Sequence, residues 1–151
     1  MQINSLDSRQ ELEKDSKTEK VYLQFSNLLS SLRKQELADE VVESINLEIA
    51  KVNTAEKSKL RNAIRKSQTR ILRVVEQKAK IVPVNYYRNL WLALGMAVFG
   101  VPFGVILGLS LDNMSYLAIG LPFGMGIGIA IGTGMDKKAK EEGRQLDFVL
   151  R

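Results

Sequence analysis

From Asn89 to Met135 the chain carries a single charged residue, Asp112. No other feature limits its fold as strongly. The stretch divides into two apolar runs, Leu90 to Leu111 and Tyr116 to Met135, separated by Asp112-Asn113-Met114-Ser115. At 1.5 Å rise per residue, a helix of about 20 residues reaches roughly 30 Å, the thickness of bilayer hydrocarbon. A helix that is apolar on every face needs either lipid or a thick protein shell around it. A chain of 151 residues has little other material to build such a shell. The runs therefore predict two membrane-spanning helices, about 89–111 and 116–135, within a transmembrane hairpin over 83–135. Asp, Asn and Ser form turns and caps because their short side chains bond nearby backbone. A link this short predicts antiparallel helices, with Asn113 or Ser115 capping the second.

Charge predicts the orientation. Lys78, Lys80 and Arg88 precede the first run, and Lys137, Lys138, Lys140 and Arg144 follow the second, while the turn has no Lys or Arg. By the positive-inside rule both termini lie in the cytoplasm. Lys78, Lys80, Arg88, Lys137 and Lys138 are then placed for contact with lipid headgroups. Trp91 with Tyr86 and Tyr87 would sit in the inner aromatic belt, and Tyr116 in the outer one. The first twenty residues lack the apolar core of a signal peptide, so the spans themselves are expected to direct insertion.

Glycines recur every fourth residue on both runs: Gly100, Gly104 and Gly108 on the first, Gly120, Gly124, Gly128 and Gly132 on the second. Four residues are slightly more than one turn, so each set lines one helix face. Lipid offers no water to expel, and helices associate there by close van der Waals packing, which glycine permits. Gly126, Ala130 and Gly134 add a second small strip. One strip can face the first span and the other a neighbouring subunit, or both can serve the hairpin alone; the sequence leaves this open. Residues 100–108 (GVPFGVILG) and 120–128 (GLPFGMGIG) echo each other. Inverted repeats occur in transporters, but two glycine-spaced helices can also match by chance. Pro102 and Pro122 fall inside the runs and are expected to kink them.

The N-terminal half is amphipathic. Residues 1–20 read as a flexible polar arm. Val21, Tyr22, Phe25, Leu28, Leu29 and Leu32, then Leu37, Val41, Ile45, Ile49 and Val52, keep helical spacing over 21–52, as one helix or two with a break at Ser30-Ser31. Asn53 with Glu56 matches a capping box. It would open a helix from about residue 55 to about residue 80 carrying Leu60, Ile64, Ile71, Val74 and Val75. Pro83 ends that helix, and Asn85 is placed to cap the next. Residues 1–50 hold six Lys/Arg and ten Asp/Glu (net −4), and residues 51–88 hold eleven and two (net +9). The fold expected is all-α: a cytoplasmic antiparallel hairpin or coil at 21–82, the two-helix transmembrane hairpin, and a tail at 136–151. In that tail the second helix runs on to about Gly143, and Leu146, Phe148, Val149 and Leu150 pack on the bundle or the lipid surface.

The glycine series running into MDKKAKEEGRQLD resembles small bacterial glycine-zipper membrane proteins over about residues 84–148. The resemblance implies a bacterial inner membrane and close helix packing, and no substrate. The chain has neither Cys nor His. That removes the thiolate and the commonest base and metal ligand. Gly124-Met125-Gly126 superficially matches part of a dinucleotide loop, but it lies within a span and follows no strand. The reading is a non-enzymatic membrane protein without cofactor or metal. Its expected partners are the bilayer, further copies of itself and an unidentified cytoplasmic protein. The alternative is an oligomeric pore or a membrane-permeabilising protein, although neither span has a polar stripe to line it. For the basic segment KSKLRNAIRKSQTRILR, pairing with the acidic helix ranks first and lipid second. Nucleic acid ranks last, because aromatics are not interleaved with its charges.

Overall fold

A computed structural model describes residues 1–7 and 17–149. These residues are mostly helical and divide into two compact units. The first unit comprises Met1–Val82 and Leu146–Phe148.

In that unit the helices are α1 (Lys17–Leu32), α2 (Asp39–Asn53) and α3 (Leu60–Ala79). Residues 21–52 thus form two helices, and the break covers residues 33–38, just after Ser30-Ser31. Charge placement favours α2: Asp39 and Glu40 lie in its first turn and Lys51 in its last, complementing the helix dipole. Phe25, Leu28, Leu29 and Leu32 of α1 meet Val41, Ile45, Ile49 and Val52 of α2 and Leu60, Ile64, Ile71 and Val75 of α3 in one core. Two short strands, β1 (Val82–Pro83) and β2 (Gln145–Leu146), pair as a sheet. Leu146 of β2 and Phe148 beyond it are buried in the core of the first unit, and the Ser31 hydroxyl donates to the Asp147 carbonyl at 3.0 Å. Val149 is exposed, and Leu150 lies outside the described residues.

Three expectations for this unit change. Asn53 does not open α3. It is the last residue of α2, Thr54 is the C-cap, and α3 begins at Leu60 after Lys59, without a side-chain cap. The Asn53 amide is engaged elsewhere: its Oδ1 accepts from the Asp7 N–H (3.2 Å) and its Nδ2 donates to the Ser5 carbonyl (3.4 Å). Asn46 does the same one heptad earlier, accepting from the Asn4 N–H (2.7 Å) and donating to the Gln2 carbonyl (3.0 Å). Residues 1–7 are therefore held rather than frayed, and of the expected arm residues 8–16 lie outside the described residues. The register has a simple cause. Seven helical residues advance about 10.5 Å, and three extended residues about 10 Å. The Tyr22 hydroxyl donates to the Asp7 carbonyl (2.6 Å), the Arg33 guanidinium donates to the Asn4 carbonyl (2.7 Å), and Ile3 and Leu6 rest against the core.

The second unit, Pro83–Gln145 with Val149, contains α4 (Tyr86–Gly95), a π-helical turn (Met96–Gly100), α5 (Val101–Ser110), a 3-10 turn (Met114–Tyr116) and α6 (Leu117–Glu141). Tyr86–Ser110 and Met114–Glu141 are each long and apolar enough to cross a membrane. Between them Asp112 adopts a left-handed φ of 51°, and the Asn113 side chain accepts from the Ser115 N–H at 2.9 Å. The α6 helix ends at Glu141, followed by Gly143 with a φ of +68°.

Candidate functional site

The chemistry available in the second unit is that of bare backbone. Gly100, Gly104 and Gly108 of the first apolar helix and Gly120, Gly124, Gly128 and Gly132 of the second are all buried. A Cβ built on Gly100 would stand 2.9 Å from the Gly120 carbonyl oxygen, and one on Gly104 2.9 Å from that of Leu117. At Gly108 it would lie 3.1 Å from the Met114 sulfur. From the other side, a Cβ on Gly120 would be 2.6 Å from the Gly104 Cα, and one on Gly132 2.6 Å from the Tyr87 oxygen. The residue numbers of the contact partners fall along one helix as they rise along the other. Except at Gly108, where the Met114 side chain can yield, alanine cannot enter these positions without moving a main chain.

Gly95 belongs to the same face, and the four-residue spacing does not include it. A Cβ there would be 2.8 Å from the Gly128 Cα. In an uninterrupted α-helix, five residues from Gly95 to Gly100 would turn it about 140° off the stripe. The π turn over Met96–Gly100 absorbs the extra residue, with the Val101 N–H bonding the Met96 carbonyl. Pro102 lies two residues beyond. It lacks an N–H and crowds the carbonyl four residues back, so the wide turn stands where an α-helical turn is least favourable. The expected disturbance at Pro102 thus takes the form of a π-bulge. Pro122 sits inside α6, which is helical throughout Leu117–Glu141. The repeated segments meet at their own glycines, Gly100 against Gly120, and Phe103 stacks on Phe123 with centroids 4.6 Å apart.

The α6 stripe continues for one more step. Four residues after Gly132 comes Asp136, which is 7% exposed. Its carboxylate accepts from the Tyr87 N–H at 3.0 Å and the Arg88 N–H at 2.9 Å. These are orphan donors of the first turn of α4. Asn85 therefore does not cap that helix. It takes a left-handed φ of 61° and makes no side-chain cap bond. The cap comes instead from Asp136, 49 positions after Tyr87, which places an anion at the positive end of a helix dipole. The four-residue spacing reaches Asp136 as the fifth position of the series, yet nothing local distinguishes it from a solvated carboxylate.

Gly126 and Gly134 behave differently. A Cβ on either would meet nothing within 4 Å, and Ala130 between them is exposed. Two residues of offset turn a helix by about 200°, so this strip faces away from the buried one.

Of the cations placed for headgroup contact, the Arg88 side chain is exposed, Lys137 and Lys138 pair loosely with Glu141 (3.9 Å) and Glu142 (4.0 Å), and Lys78 is bound to Glu40 in the first unit. Lys80 is exposed and follows α3 with a left-handed φ of 58°. Among the described residues of the first unit the buried carboxylate is Glu48, which is 8% exposed. It accepts from Ser67 (2.9 Å) and pairs with Lys51 and Arg70. Burial pushes its pKa up. The hydrogen bonds from Lys51 and Ser67 and the charges of Lys51 and Arg70 outweigh burial, and the carboxyl titrates below its ordinary value. Among the described residues no group of three or more His, Cys, Asp or Glu is placed to hold a metal ion. No protein-family model, no curated protein and no solved structure matches this chain.

Proposed function

We propose that this chain is a non-enzymatic integral membrane protein of a bacterial inner membrane, crossing it twice as a glycine-zipper hairpin with both termini in the cytoplasm. One observation carries the reading. The residues that the two helices turn outward are almost all apolar, and most are large, among them Leu94, Val98, Phe99, Ile106, Leu109, Ile119, Leu121, Phe123 and Ile131. A belt this large has no place in water, and it matches the demands of lipid around two helices whose backbones satisfy themselves. The basic flanks and uncharged turn support the orientation, with Arg88, Lys137 and Lys138 at the headgroups. The amphipathic helices at 21–82 then form the cytoplasmic module, available to a protein partner.

Self-association is the second part of the proposal. The buried glycines are consumed within one chain, whereas Gly126, Ala130 and Gly134 offer the opposite face of the same helix to another copy. The alternative of a pore draws little support from the outward faces, which are apolar. The chain has no Cys, so single cysteines report on it cleanly. A cysteine at Ser115 should react with an impermeant maleimide from outside the cell, and one at Lys140 only after permeabilisation. The reverse pattern overturns the orientation, and a chain that stays soluble without detergent overturns the whole reading. Gly126→Leu with Gly134→Leu should abolish cross-linked oligomers while the hairpin stays closed. Oligomers that survive this change refute the assigned face.

A further inference from the structure

The acidic and basic halves of the first unit do not neutralise one another. Between Leu60 and Ala79, α3 carries Arg61, Arg65, Lys66, Arg70, Arg73 and Lys78. Two of them meet α2: Arg70 is 3.5 Å from Glu48, and Lys78 is bound to Glu40. Arg61, Arg65, Lys66 and Arg73 are exposed and make no ion pair with any described residue. At 3.6 residues per turn these four fall within about 140° of the helix circumference and extend about 18 Å along its axis. Leu60, Ile64, Ile71 and Val75 lie on the opposite side, in the core. The sole acid of α3, Glu76, falls in the cationic sector and is half-buried there. The face therefore keeps a clear positive excess, and the core contacts of α3 leave it free.

We infer that this face of α3 is a binding surface for anionic phospholipid of the bilayer proposed above. The inference rests on the membrane reading above. Charge complementarity supplies the attraction, since basic residues close to an anionic leaflet each favour binding. The chain supplies proximity. Six residues, 80–85, link α3 to α4, and fully extended they reach no more than about 22 Å. A surface tethered that close samples the leaflet at high effective concentration. Single-stranded nucleic acid fits less well, because α3 has no aromatic side chain on which bases could stack.

The test uses the full chain in lipid nanodiscs. Asn62, exposed in the middle of the cationic sector, is replaced by Cys and labelled with an environment-sensitive dye. Leu23→Cys on α1 is the control. In discs rich in phosphatidylglycerol the dye at 62 should shift to the blue, and in pure phosphatidylcholine it should not. About 1 M salt, where the Debye length is about 3 Å, should reverse the shift. Each charge removed should lower the ratio of bound to free face about fivefold, so Arg61→Gln, Arg65→Gln and Arg73→Gln together should lower it about a hundredfold. The corresponding triple Lys variant should keep the shift. An identical signal in the two lipids overturns the inference, as does a shift that survives the Gln variant. Charge-dependent capture of a single-stranded oligonucleotide by the chain in neutral discs, tighter than its response to phosphatidylglycerol, makes nucleic acid the occupant and also overturns it. Co-elution of chain and disc is read separately. If the chain does not enter discs at all, the membrane reading falls, and this inference with it.

Discussion

Replacing Gly128 by alanine adds one methyl group at the tightest point of the helix contact. Its Cβ would overlap the Trp91 carbonyl, with the carbonyl carbon at 2.8 Å and the Gly95 Cα at 3.2 Å. None of these atoms is the end of a flexible side chain, so the helices must part by about 1 Å to restore ordinary contact. A gap of that size forfeits a quarter to a half of each van der Waals well of 0.1–0.2 kcal/mol. Over roughly 40 atom pairs this amounts to about 1–4 kcal/mol. Overpacking a tight core costs a similar amount, typically about 1–3 kcal/mol. Against this, alanine favours the helix itself by at most about 1 kcal/mol. The net expectation is a loss of about 1–3 kcal/mol. Gly126→Ala is the matched control. It receives the same propensity gain and meets nothing within 4 Å, so it should be neutral or stabilised by up to about 1 kcal/mol. Reversible unfolding in detergent micelles can be followed by the emission of Trp91, the sole tryptophan, whose own carbonyl is the displaced group. Equal stability of the two variants, or a greater loss at 126, refutes the assignment of the buried face.

Asp136→Ala removes the cap of α4 and should cost about 1–2 kcal/mol, with faster amide exchange at Tyr87 and Arg88; unchanged exchange there contradicts the cap. Asn46→Ala and Asn53→Ala should each cost about 1 kcal/mol and release residues 1–7, seen as loss of amide protection at Asn4 and Asp7 while α2 keeps its own. Glu48 has a folded pKa below its ordinary value of 4.5. Its contribution is therefore complete above that value and is lost as pH falls below it through the lowered folded pKa. Glu48→Gln should flatten this part of the acid-unfolding curve, and an unaltered acid limb shows that other carboxylates govern it.

Much of the second unit was legible because the constraints there are local and repeat. Two apolar runs, a four-residue turn of Asp, Asn, Met and Ser, and glycines every fourth residue name the helices and one face of each. Gly95 escaped because its spacing is five. It joins the face only through a change of helix type, which no propensity scale at Met96–Gly100 announces. Asp136 escaped for a different reason: a carboxylate in a lysine-rich stretch reads as solvated tail until the other helix places its first turn opposite. Asn53 with Glu56 shows the converse failure. The local pattern is a good capping box, yet the amide bonds a segment 46 residues earlier in the chain, and tertiary contact prevails over a local cap of about 1 kcal/mol.

By itself the sequence determined that the chain is mostly helical, that two of its helices are apolar enough for a membrane, and that small residues occupy two strips of the second. Each follows from composition and period, which act within a few turns of backbone. Only the tertiary structure decided which strip is consumed inside the chain, which residue caps α4, and which cations of α3 remain free of the acidic helix. Those outcomes depend on the distance between atoms far apart in the chain, and a distance of that kind exists only once the helices have packed.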